Sequence, residues 1–91
     1  MKATTLLDRA DPYLAAVRIV KDALRKVDPE VSREIGNARD ALFKAIRADD
    51  AAGARQWLGT LDASALLVPA ACGDERARLL EAIQGLKEVL A

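Results

Sequence analysis

Few side chains in this sequence are of the types that perform chemistry, and they do not form a recognisable catalytic set. The chain has no histidine, which is the commonest general base and metal ligand in proteins. Its single cysteine, Cys72, therefore lacks a histidine partner, and Ser32 and Ser64 have no recognisable base. The sequence predicts that the protein is not an enzyme, and it assigns no catalytic, cofactor-binding or metal-binding residue.

Asp49 and Asp50 form an adjacent pair of carboxylates, which is a possible acid/base or metal site. Neighbouring side chains on a helix point about 100° apart, so this pair is better placed to cap a helix than to share a substrate. We therefore expect the two residues to cap the helix that follows them. Catalysis or metal binding by the pair is the lesser alternative.

Positive charge on the first predicted helix is a second candidate site. Arg18, Lys21 and Arg25 fall on one side of this helix, with Asp22 as the only nearby acid. Such a surface can contact phosphate, anionic lipid or an acidic protein, whereas the simpler interpretation is a solvated helix face. The 14 basic and 14 acidic residues give a net charge of zero, which argues against general nucleic-acid binding.

Four apolar stripes predict the elements that must position these residues. Within each stripe apolar residues recur at alternating steps of four and three, which keeps them on one face of a helix. The stripes are Tyr13, Val17, Val20, Leu24 and Val27; Val31, Ile35, Ala38, Leu42 and Ala45; Ala54, Leu58, Leu61, Ala65 and Val68; and Leu79, Ile83, Leu86 and Leu90.

Two Asp-Pro pairs mark the predicted starts of the first two helices. Asp11 and Asp28 are suited to the N-cap, and each is followed by a proline that fits the first helical position. Thr5 and Asp8 have the spacing of a capping box. The sequence therefore predicts a short leading helix over 5–10 that is kinked at Pro12. Helices are predicted over 12–27, over 29–48, from the Asp49-Asp50 cap to near Val68, and over 75–90.

These elements predict an all-α fold, a compact bundle of about four short helices with very short connections. With 91 residues the chain is expected to form a single helical domain over 1–91. The N-terminal sequence meets charge too early for a signal peptide, and no apolar run is long enough to span a membrane. Together with the single cysteine, this predicts a cytoplasmic protein.

Three apolar residues of the first two helices, Leu14, Ile19 and Phe43, lie outside the stripes. Flanking helices of a bundle would bury them, whereas an exposed cluster would mark an interface. The 19 alanines bury little area per residue and predict a thin core that benefits from a partner. We therefore predict a contact surface of Leu14, Ile19 and Phe43, bordered by Arg18, Lys21 and Arg25.

The predicted function is a small helical protein–protein interaction module, a regulator or adaptor acting through an apolar helix face. Its partner is expected to be another protein or a second copy in a homodimer, with no cofactor. The alternative function is weak binding of nucleic acid or an anionic surface through the basic side of the first helix. A steep salt dependence would distinguish this alternative from an apolar interface.

The segment Trp57-Leu58-Gly59 resembles the Trp-x-Gly motif of the small exported helical-hairpin proteins of the WXG type. The resemblance implies an exported helical protein as a further alternative. That family has the motif at the turn of a single hairpin, whereas here it falls within the third stripe, so no functional residue is carried over. The pattern instead predicts that Trp57 is a core aromatic residue packing beside Leu61.

Overall fold

A computed structural model describes residues 5–91, and these residues form four α-helices. Within these residues there is no strand, which confirms the predicted all-α class. A short 3-10 turn, Ala70–Cys72, precedes the last helix. The helices are α1 (Leu6–Leu24), α2 (Pro29–Arg47), α3 (Ala51–Ala65) and α4 (Gly73–Val89).

The helices pack as a ring in which each contacts its neighbours along the chain and α1 also contacts α4. Two hydrogen bonds give the direction of α1 relative to α2. Ser32 Oγ donates to the Lys21 carbonyl at 2.7 Å and Arg39 Nε donates to the Leu14 carbonyl at 2.7 Å. The later residue of α2 thus bonds to the earlier residue of α1, so the two helices are antiparallel. Short connections between neighbouring helices require this arrangement.

Most of the core is built from the predicted stripes. Every residue of the third and fourth stripes is buried, and so are four of the five residues of the second. The exceptions are Ala45 and Tyr13, which are half-buried, and Val27, which is exposed. Val27 lies outside the core because α1 ends at Leu24 and the chain turns before α2.

The predicted break before Pro12 is wrong, because α1 is one helix from Leu6 to Leu24 with Pro12 inside it. The capping box is confirmed: Asp8 N donates to Thr5 Oγ1 at 3.1 Å, and Thr5 N donates to Asp8 Oδ2 at 3.3 Å. Asp11 therefore lies within the helix. A proline in a helix interior costs about 3 kcal/mol, and burial of Ala10 and Leu14 on either side of it offsets this cost.

The Asp residues at the starts of α2 and α3 act as caps. Asp28 Oδ1 accepts a hydrogen bond from Val31 N at 3.2 Å, and Asp50 Oδ1 accepts one from Gly53 N at 2.9 Å. Asp49 has a different role. Its left-handed backbone, with φ of 59°, ends α2, and its N–H donates to the Ile46 carbonyl at 3.0 Å.

The predicted limits of α3 and α4 differ from the structure by a few residues. The helix α3 ends at Ala65 rather than near Val68, and α4 begins at Gly73 rather than at residue 75. A guanidinium nitrogen of Arg76 in the first turn of α4 donates to the Val68 carbonyl. This contact satisfies a backbone acceptor in the non-helical segment that joins the two helices.

Candidate functional site

The three apolar residues of the predicted contact surface lie in three different environments. Leu14 is fully buried in the core, and Phe43 is half-buried and packs against the core. Ile19 is 63 % exposed. Leu14 is therefore part of the core and cannot contact a partner while the fold is intact, so these three residues do not form one continuous surface.

Ile19 borders a groove of about 330 Å³ between α1 and α4. Tyr13 and Val20 of α1 and Ala82 of α4 contribute to its lining, and Arg78 and Glu81 supply one charge of each sign. The groove is therefore largely apolar with no surplus of charge. Partner binding by Ile19 stays a prediction.

The basic residues of α1 are also divided by the fold. Lys21 and Arg25 line a groove of about 290 Å³ between α1 and α2, whereas Arg18 is exposed and outside the lining of this groove. Arg33 of α2 joins them in that lining. Arg33 was not predicted as a site residue, because the approach of α1 and α2 creates the cluster and the pattern of either helix alone does not show it.

A third groove, of about 530 Å³, lies between α2 and α3 and has Trp57 and Leu67 in its lining. Trp57 is 42 % exposed and Leu67 is 53 % exposed, so the prediction of Trp57 as a core residue is wrong. The neighbouring Leu58 faces the core, and Trp57 points about 100° away from it. We call this feature the Trp57 groove.

A second periodicity in the sequence could have revealed the Trp57 groove. Trp57, Thr60, Ser64 and Leu67 repeat at steps of three, four and three, beside the core stripe of α3. Because two of the four residues are polar, this pattern does not stand out as an apolar stripe. All four line the groove, together with Ala63 of α3 and residues of α2.

The polar groups of α3 that line the Trp57 groove are hydrogen-bonded within the helix. Ser64 Oγ donates to the Thr60 carbonyl at 3.0 Å, and Thr60 Oγ1 donates to the Gln56 carbonyl at 3.4 Å. These hydroxyl protons are therefore not directed at a ligand. The α3 side of the groove is suited to apolar contact, and Glu34 and Asn37 supply polar groups on the α2 side.

Within residues 5–91, no three His, Cys, Asp or Glu side chains are grouped as a metal site would require. None of the helices in this part of the chain combines the length and the apolar character that crossing a membrane demands. Comparisons of the chain with protein-family models, with curated proteins and with solved structures find no match. The Trp57-Leu58-Gly59 segment lies inside α3, not at a turn as in the WXG-type proteins it resembles.

Proposed function

We propose that this protein is a small helical interaction module that binds an apolar helix of a partner protein in the Trp57 groove. The observation that carries the proposal is the exposure of Trp57 beside a largely apolar groove. Tryptophan is enriched among residues that dominate the energy of protein interfaces. Its exposed ring offers a large contact area at little conformational cost.

The size of the Trp57 groove favours a single helix as its occupant. Interfaces between whole proteins use about 20–30 residues on each side, whereas eight residues line this groove. Along α3, Trp57 and Ser64 are seven residues apart, which is about 10 Å or two helical turns. A partner helix with apolar residues at i, i+3 or i+4, and i+7 covers the same length.

Selection of helical peptides from a display library against the full chain tests this proposal. We expect the selected peptides to carry the i, i+3 or i+4, i+7 apolar spacing. We expect Ala63→Arg to weaken their binding at least tenfold, measured by calorimetry, because the new charged side chain enters an apolar groove and is desolvated there by the bound peptide. Ala63 is an exposed residue of the groove lining, so the fold should tolerate the change.

The matched control is Ala77→Arg, the same substitution at an exposed alanine of α4 that does not line the Trp57 groove. It should leave peptide affinity unchanged. Equal losses of affinity in both variants, or the failure of the library to give any binder that competes for the groove, would contradict the proposal. Circular dichroism of both variants verifies that each is folded.

A further inference from the structure

The groove between α1 and α2 is a second feature of the surface, separate in chemistry from the Trp57 groove. It brings together Lys21 and Arg25 from α1 with Arg33 from α2, against one acidic residue in its lining, Asp40. Asp40 has its own partner, because its carboxylate lies 3.5 Å from a guanidinium nitrogen of Arg39. The lining of the groove therefore has a local surplus of positive charge in a chain of zero net charge.

Among residues 5–91, two of the three cations have no carboxylate within ion-pair distance. Arg25 pairs with Asp22 at 2.9 Å on the surface of α1. In the part of the chain that the structure describes, neither Lys21 nor Arg33 has an acidic group within ion-pair distance. Lys21 in the last turn of α1 and Arg25, the C-cap residue of that helix, stand at positions i and i+4, an arrangement in which like charges repel each other. An anion bound between them would relieve this repulsion.

Gly36 lets the Lys21 side chain cross the face of α2. A Cβ atom at position 36 would lie 2.8 Å from Lys21 Cε and 3.6 Å from its ammonium nitrogen. The aliphatic part of the half-buried Lys21 side chain thus packs against Gly36, and its ammonium group lies beside the groove. The first turns of α2 also line this groove, through Pro29, Ser32 and Arg33.

The geometry points to a binding site for the phosphate group of a small phosphate monoester in this groove. Lys21, Arg25 and Arg33 neutralise the phosphate, and Asn37 and Asp40 face the rest of the ligand. A volume of about 290 Å³ is near the lower limit of ligand pockets and fits a small molecule. This site does not depend on the proposed function, because the protein can bind a phosphate here whether or not a helix occupies the Trp57 groove.

Titration of the 91-residue chain with phenyl phosphate, monitored through the backbone amide chemical shifts, tests the site. We expect saturable shift changes concentrated in the residues that line the α1–α2 groove. Replacement of one charged contact, in Lys21→Met or Arg33→Gln, should weaken binding about tenfold. Gly36→Ala should also weaken it, because the added methyl group displaces the Lys21 stem.

Arg18→Gln is the matched control, since Arg18 is an exposed cation of α1 outside the lining of the groove. It should bind phenyl phosphate as the unaltered chain does, and thermal melts verify that all variants are folded. Equal weakening by Arg18→Gln and Arg33→Gln would show a diffuse charge effect and overturn the site. The absence of saturable shifts in the unaltered chain would do the same.

A phosphate group can belong to a free metabolite or to a lipid, and a second experiment, vesicle sedimentation, distinguishes these two sources. Vesicles containing phosphatidic acid are sedimented with the protein in parallel. Binding of phenyl phosphate without sedimentation supports a free phosphate monoester. Sedimentation that Arg33→Gln abolishes and Arg18→Gln does not would support the same site with a lipid headgroup as its source.

Discussion

Asp49 and Asp50 are identical neighbours whose roles differ because their backbones differ. The left-handed backbone of Asp49 ends α2, and the Asp50 carboxylate caps α3 through Gly53 N. The left-handed conformation costs a residue with a Cβ atom about 1–2 kcal/mol, a strain that glycine avoids. The Asp49 carboxylate also lies near the negative end of the α2 dipole. The pair is therefore a junction between two helices.

We predict opposite effects from substituting these two residues. Asp49→Gly should raise the free energy of unfolding by about 0.5–1 kcal/mol, because it removes the backbone strain at this position. Asp50→Ala should lower it by about 1 kcal/mol, because the first turn of α3 loses its cap. Urea unfolding followed by circular dichroism measures both values. A change of the same sign in the two variants would be inconsistent with separate roles.

At the scale of the helices, two glycines have opposite surroundings. Gly59 lies in α3, and a Cβ atom there would meet nothing within 4 Å. Gly85 lies in α4 where the Tyr13 ring of α1 packs directly against it, in the space that a Cβ atom would occupy. Of these two positions, only position 85 requires a glycine for the observed packing of its helix.

We predict that Gly59→Ala raises the free energy of unfolding by about 0.5–1 kcal/mol, because alanine is the better helix former. Gly85→Ala should lower it by about 1–3 kcal/mol, because the methyl group forces the Tyr13 ring from its place between α1 and α4. Denaturant unfolding of the two variants gives the comparison. Stabilisation of both by a similar amount would mean that α1 and α4 approach less closely than the structure describes.

The sequence predicted which segments are helical better than it predicted where a helix begins and which residues line the grooves between helices. The stripes identified the core because burial on one face of a helix requires a 3.5-residue period. Pro12 was misread as a helix start because the packing of Ala10 and Leu14, which offsets its cost, depends on neighbouring helices. Trp57 and Arg33 were missed as groove residues for the same reason, since each groove is formed by two helices.

At the scale of the whole molecule, the grooves lie between packed helices and not on one helix face. Ile19 borders the α1–α4 groove, the basic residues line the α1–α2 groove, and Trp57 lines the α2–α3 groove. In the proposed function, the Trp57 groove binds a helix of another protein. The sequence predicted a homodimer through Leu14, Ile19 and Phe43, and a second copy of the chain is the competing occupant of the Trp57 groove. Only occupation by a second copy would depend on the concentration of this protein alone.

The fluorescence emission of Trp57, the single tryptophan of the chain, reports whether a helix occupies the Trp57 groove. Titration with a selected helical peptide that lacks tryptophan should move the emission to shorter wavelength and saturate, because the exposed indole ring becomes buried. Without peptide, raising the protein concentration should leave the emission unchanged. A move of the emission to shorter wavelength when only the protein concentration is raised would assign the groove to a homodimer. Peptide binding with no change in Trp57 emission would contradict helix binding in the Trp57 groove.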